Sequence, residues 1–192
     1  MSLEAEPIAV TLRVAAELER LGIEYLVGGS IASSVHGHPR TTQDVDVVAR
    51  IAGRHVPDLV AALQRDFYVD ADMINDAIRR RASFNIIYLE TMLKVDIFVF
   101  AGDPLGQEEM RRRVAITLRG TRVWFASAED IVLQKLDWYR KGDGISERQW
   151  RDVVGVLEVQ GAGFDQGYAR TWAKHLGLDG LLEQALAEAA AV

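Results

Sequence analysis

The sequence predicts an α+β protein: a mixed β-sheet flanked by helices over residues 1–126, then a helical region over residues 127–192 packed against it. Three observations predict this. Short runs rich in Val, Ile, Phe and Tyr alternate with helical patterns as far as Phe125. Beyond Phe125 only helical patterns remain, the first two of them opened by a capping signal. Two strand-like apolar runs carry aspartates among alternating apolar residues, and alternation puts every second residue on the same sheet face.

The elements follow in order. Pro7 suits a first helical turn, and Ile8, Leu12, Ala15 and Leu18 recur at helical spacing until Gly22. Ile23–Val27 reads as a short strand, Gly28-Gly29 as a turn, and Ser30–His36 as a helix that Ser30 can cap. His38-Pro39-Arg40-Thr41-Thr42 is a loop, because a residue before proline avoids the helical region. Asp44–Ala49 is a second strand, Val56–Arg65 a helix, Phe67–Val69 a short strand and Met73–Arg80 a helix. Ser83–Leu89 and Leu93–Phe100 form a hairpin across Glu90-Thr91. Gly102-Asp103-Pro104 breaks the chain, and Arg111–Leu118 with Thr121–Phe125 forms a second hairpin. Capping signals at Ser127 and Ser146 open helices to Tyr139 and about Val159. Two more helices start near Asp165 and Asp179, separated by Gly177.

Bulk properties narrow the function classes. Charged residues make up 26% and hydrophobic residues 49%, ordinary values for a globular protein. No apolar run approaches the ~18 residues of a membrane span, and the acidic N-terminus lacks the basic region of a signal peptide. The expectation is a cytoplasmic protein with no membrane partner. The absence of cysteine excludes disulfides, thiolate catalysis and zinc–thiolate sites. A formal charge of −6 argues against a surface that coats nucleic acid generally, though not against a local basic groove.

The chemistry concentrates in two stretches. In Asp44-Val-Asp46-Val-Val the two carboxylates share a strand face and repel each other, an arrangement that calls for a cation between them. In Leu93-Lys-Val-Asp96-Ile-Phe-Val a lone Asp96 interrupts a run that otherwise reads as a buried strand, sharing its face with Lys94 and Phe98. If these strands are neighbours, three carboxylates converge. Such an oxygen set suits one or two Mg²⁺ ions. Two ions about 4 Å apart can align a hydroxyl with a nucleotide α-phosphate and neutralise the departing pyrophosphate. Gly28-Gly29-Ser30 then has a role, since glycines admit phosphate close to the backbone and free N–H groups at a helix start favour anions. The competing reading, that a buried aspartate is a cap or an ion-pair partner, explains one of these residues more easily than three.

Val27-Gly28-Gly29-Ser30, then Asp44-x-Asp46, then Asp96 on a separate strand resembles the signature of the nucleotidyltransferase superfamily, the polymerase-beta-like fold. Within it the chain is most similar to the small bacterial branch that includes AbiEii-type toxins. The resemblance implies a nucleotidyltransferase-type mixed sheet. It implies Mg²⁺-dependent transfer of a nucleoside monophosphate from an NTP such as ATP to a hydroxyl of RNA, protein or a small molecule. It implies Asp44, Asp46 and Asp96 as metal ligands and catalytic residues, Asp96 also as base. Gly28, Gly29 and Ser30 would hold phosphate. By order and context Lys135 matches a lysine of the branch's site and Asp152 an aspartate on the following helix. A toxin role would bring an antitoxin protein as partner.

Lys135 stands out without the family. Ala128, Ile131, Val132, Leu136 and Tyr139 form one helical stripe, and Lys135 falls inside it. It must snorkel or find an anion: a triphosphate, or a buried acid such as Asp152. For Asp152 the plain alternative is an exposed pair with Arg148, one turn earlier. Arg40 and Thr42 are candidates for nucleotide contact or for building the turn before Asp44. Arg79–Arg81 and Arg111–Arg113 are candidates for an RNA track, with solvated faces the commoner outcome. His36 and His38 read as loop residues. Gly28-Gly-Ser-Ile-Ala32 falls one glycine short of a Gly-x-Ser-x-Gly nucleophile elbow, which would leave Asp44 and Asp46 without a task. The rival to catalysis is a domain of the same fold that binds a nucleotide or a partner without turnover.

Overall fold

A computed structural model describes residues 6–191. The chain divides into two compact units. One contains the chain up to Gly28 together with Thr41–Phe125; the other contains Gly29–Arg40 with the chain from Ala126 onward. The sequence predicts a single division, at 126/127. The segment 29–40 groups instead with the C-terminal helices.

The first unit is built on a seven-stranded mixed sheet. Its strands are β1 (Tyr25–Val27), β2 (Asp44–Ala49), β3 (Phe67–Tyr68), β4 (Ser83–Tyr88), β5 (Leu93–Val99), β6 (Val114–Leu118) and β7 (Thr121–Phe125), in the spatial order β3-β4-β5-β2-β1-β7-β6. β2 runs parallel to β5 and β1 parallel to β7; the remaining pairs are antiparallel. Helices α1 (Glu6–Arg20), α3 (Val56–Leu63), α4 (Ala71–Arg80) and α5 (Pro104–Arg112) belong to this unit. Alternation divides the central strands cleanly. Val45, Val47 and Ala49 of β2, Val95, Ile97 and Val99 of β5, and Phe84 and Ile86 of β4 are buried on one face. α1 meets the sheet at β1, β2 and β7 and places Val10, Val14 and Leu18 in the core. The opposite faces of the same strands stay partly open.

α5 corrects the sequence reading, which began a strand at Arg111. The helix has no long apolar stripe; among its residues only Glu109 and Met110 are buried. Its start is set by its cap: Asp103 accepts from the Gly106 N–H and Pro104 occupies the first turn. Arg111 and Arg112 close the helix, and the strand begins at Val114. Arginines of both triplets pair with acids. Arg79 and Arg80 pair with Asp76, Arg111 with Glu108, and Arg113 with Glu24.

The second unit packs α2 (Gly29–His36) with α6 (Ala128–Lys141), α7 (Glu147–Gln160), α8 (Gln166–Leu176) and α9 (Asp179–Ala189). The caps expected at Ser127 and Ser146 are present, accepting from the N–H groups of Asp130 and Gln149, and Asp165 likewise accepts from that of Tyr168. Ser30 is not a cap: α2 begins one residue earlier, at Gly29, and Ser30 lies within its first turn. Asp130 is fully buried because Ser127 Oγ and the Tyr168 hydroxyl both donate to its carboxylate. This ties α6 to α8.

Glycine lets α2 approach α7. A Cβ on Gly37 would lie 2.8 Å from the Val156 nitrogen and 2.9 Å from the Gly155 carbonyl carbon, both main-chain atoms that cannot turn aside. His36 is the last residue of α2, which agrees with the helix expected to end there and corrects its reading as a loop residue, and it is buried. Burial lowers its pKa, so the neutral ring donates from Nε2 to the Ala126 carbonyl at 2.8 Å. Gln160 donates to the His36 carbonyl, and His38 pairs with Glu158. Both histidines are structural ties of this unit.

Gly37→Ala is expected to lower the stability of this protein by about 1–3 kcal/mol through overpacking against the α7 backbone. Urea unfolding followed by circular dichroism measures it; a midpoint equal to that of the wild type would show that α2 yields freely.

Candidate active site

In the first unit, the register of β2 and β5 brings the acids together. Asp46 is the register partner of Asp96, and Asp44 of Lys94. Neighbouring strands lie about 4.8 Å apart, and register partners share a sheet face. Asp44, Asp46 and Asp96 therefore stand on the open face, as the reading of adjacent strands required. Gly28 closes the end of β1 against this strand, its N–H donating to the Asp46 carbonyl at 2.9 Å. Thr42 builds the approach: its hydroxyl accepts from the Asp44 N–H and donates to the Asp44 carbonyl.

Two residues of this face were not assigned roles from sequence. Asn85 of β4 is the register partner of Asp96 on the other side. The alternation Ser83-Phe84-Asn85-Ile86 put it on the polar face, but only the hairpin register shows which acid it faces. Lys94 was seen to share a face with Asp96; its role as Asp96's ion-pair partner was not. Its Nζ lies 2.7 Å from Asp96 Oδ2. The hydrogen bond to Asp96 raises the Lys94 pKa; partial burial opposes this, and the charges of Asp96, Asp44 and Asp46 add to the increase. All three carboxylates thus act on one ammonium.

Among the described residues no group of three or more acidic, His or Cys side chains is already drawn together as metal ligands. Asp96 is instead turned to Lys94, as expected of carboxylates that must be neutralised one way or another. The donor set itself fits a hard divalent cation: three oxygen ligands on rigid strands. A cavity of about 470 Å³ adjoins Asp44 and Lys94, lined further by Thr41, Thr42, Gln43 and Thr91.

In the second unit, Asp152 of α7 is the centre of a buried cluster. Arg40 grips it with two hydrogen bonds, Nε to Oδ1 at 2.8 Å and Nη2 to Oδ2 at 2.9 Å. Lys135 of α6 donates to Oδ2 at 2.8 Å. The side chains of Lys135 and Asp152 are 1% and 6% exposed, so this is a buried pair and not the surface pair with Arg148. Arg151 makes the ordinary exposed pair, with Glu147. Arg40 also donates to the Ser30 hydroxyl in the first turn of α2. Gly29, where α2 begins, has φ +55°, a conformation that strains any residue with a Cβ. Burial would raise the Asp152 pKa, but the hydrogen bonds from Arg40 and Lys135 outweigh it and hold the carboxyl below its ordinary value. Arg40, Lys135 and Asp152 together carry a net charge of +1. With the α2 N-terminus and Ser30, they make a cationic corner of the kind that suits phosphate.

No protein-family model matches this chain, and no curated protein matches it. Solved structures do. An antigenic nucleotidyltransferase-like protein from Paracoccidioides brasiliensis aligns with a TM-score of 0.61 at 18% identity, over 94% of this chain and 92% of that one. ANT(2'')-Ia in complex with adenylyl-2''-tobramycin aligns with a TM-score of 0.60 at 12% identity, over 88% and 98% of the two chains. The lincosamide antibiotic adenylyltransferase LnuA, lincomycin-bound, gives a TM-score of 0.54 at 12% identity, over 83% and 99%. At such identities the likeness speaks for the fold. The chain has a nucleotidyltransferase-like α+β fold, with a seven-stranded mixed sheet flanked by helices.

The Asp152 cluster generates a prediction. A carboxyl whose folded pKa is depressed adds stability that is complete above the unfolded value and is lost as pH falls through the folded one. Wild-type urea midpoints should therefore fall below about pH 4. Asp152→Asn should start lower at neutral pH, by roughly 3 kcal/mol or more because Lys135 stays buried beside a neutral partner, and should fall less steeply with acid. Parallel profiles for the two proteins would contradict the cluster.

Proposed function

We propose that this protein is a Mg²⁺-dependent nucleotidyltransferase that moves a nucleoside monophosphate from an NTP to a hydroxyl acceptor. The observation that carries the reading is the register of Asp46 on Asp96 across parallel strands, with Asp44 two residues earlier on the same open face. Asp44, Asp46 and Asp96 would hold the metal, and Gly28, Gly29, Ser30, Arg40 and Thr42 would serve the nucleotide. Lys135 would serve phosphate, with Asp152 positioning Lys135 and Arg40. When bound, the metal neutralises phosphate charge and lowers the pKa of a coordinated hydroxyl.

The residues' own parts follow from their chemistry. The acceptor hydroxyl oxygen forms a bond to the α-phosphorus while the bond from that phosphorus to the bridging oxygen of pyrophosphate breaks. The hydroxyl proton passes to an Asp96 carboxylate oxygen. Arg40 and Lys135 offset negative charge on the phosphates.

For the acceptor, the reading favours a small molecule. ANT(2'')-Ia was solved with an adenylylated small molecule and LnuA with lincomycin. The cavity beside Asp44 has the volume of a site for a small ligand. Several arginines of the two triplets are paired with acids and offer little support to an RNA track. The resemblance to the AbiEii-type branch supports the second version of this proposal: a cytoplasmic toxin that modifies RNA and is restrained by an antitoxin. No helix among the described residues is long and apolar enough to cross a membrane.

The test is incubation with each labelled NTP and Mg²⁺ against a panel of hydroxylated small molecules, total RNA and cell lysate. Label should appear on one acceptor class, and Asp46→Ala and Asp96→Asn should reduce it to background. Labelling that survives Asp46→Ala would sink the catalytic reading. Stabilisation of the wild type by NTP and Mg²⁺ without labelling of anything would favour the non-catalytic binding domain.

A further inference from the structure

We propose that Lys94 is the resident counter-cation of the carboxylate face, holding Asp96 in the metal-free protein and giving way when a divalent cation binds. This rests on the metal-site reading above and adds a competitor to it.

The geometry makes the case. Three carboxylates share one open sheet face, and the Lys94 ammonium sits 2.7 Å from Asp96 while its Cα is in register with Asp44. While Nζ donates to Asp96 Oδ2, that oxygen is engaged and serves poorly as a metal ligand or as acceptor of a hydroxyl proton. Without any cation the face would carry three mutually repelling charges. A lysine lowers that repulsion with a single charge, which a divalent ion can outcompete.

The lysine is also free to leave. Its side chain is 45% exposed against 23% for Asp96, so departure costs little burial. It lines the cavity of about 470 Å³ beside Asp44, which gives the displaced ammonium room. Arginine at the same position would keep the charge but hold the carboxylate with a planar fork. Lysine's compact ammonium on four methylenes is the easier group to exchange.

Mn²⁺ titration by calorimetry or electron paramagnetic resonance, with thermal denaturation in the absence of metal, tests this. Lys94→Met should bind Mn²⁺ about tenfold more tightly, the order expected on removing one unit charge from beside a divalent ion at a partly solvated site. It should also melt at a lower temperature than wild type without metal, and recover more of that loss when Mn²⁺ is added. Lys94→Gln should move both readouts in the same direction, and Lys94→Arg, whose fork is harder to displace, should bind Mn²⁺ more weakly than wild type. Unchanged or weaker Mn²⁺ binding in Lys94→Met, with wild-type binding intact and abolished by Asp46→Asn, would overturn the inference and leave the metal site standing. No Mn²⁺ binding by wild type or Lys94→Met would overturn the metal site and the inference with it.

Discussion

The repulsion between carboxylates held in register on adjacent parallel strands is the constraint from which the rest of the first unit follows. Asp46 and Asp96 cannot separate without breaking the pairing of β2 and β5, and that pairing is locked by the buried residues between them: Val45 and Val47 against Val95 and Ile97. A one-residue slip of either strand would turn its aspartates into the core. The apolar face thus holds the acids in place, and their charge must be met from the open side. Lys94 meets part of it.

A second neutralisation, of the opposite kind, organises the helical unit. There a single buried carboxylate, Asp152, is gripped by two cations from separate segments, Arg40 and Lys135. Breaking such a cluster leaves a charge buried and uncompensated, so its members stand or fall together. The close packing of Gly37 on α7 brings the Arg40 end of the 29–40 segment to Asp152. A glycine contact and an ion pair far apart in sequence therefore act as one positioning device. The two arrangements differ in what they leave over: the sheet carries surplus negative charge and the helical cluster surplus positive charge. A metal ion suits a surplus of the first kind, and a phosphate suits a surplus of the second.

Much of this was legible along the chain. The strand Asp44–Ala49 and the hairpin that follows Ser83 announce themselves by alternation, because burial of one face demands it. Lys135 stands out because a charge inside an apolar stripe needs an anion, and Asp152 is one acid that can supply it. α5 escaped because its signal lies in a cap and a proline and hardly in periodicity. His36 escaped because a buried histidine satisfied by a carbonyl looks, in sequence, like any other.

The sequence by itself determined which residues share a strand face, where the capped helices after Phe125 begin, and that three aspartates and one lysine require partners. These are local properties, set by side-chain period and by capping chemistry. Only the tertiary structure decided that β5 lies beside β2, that Asp96 is the register partner of Asp46 and is paired with Lys94, and that residues 29–40 belong with the C-terminal helices. Those outcomes depend on the order of strands in the sheet and on close approaches between distant segments. Neither leaves a trace in local spacing, because many strand orders bury the same alternating faces equally well.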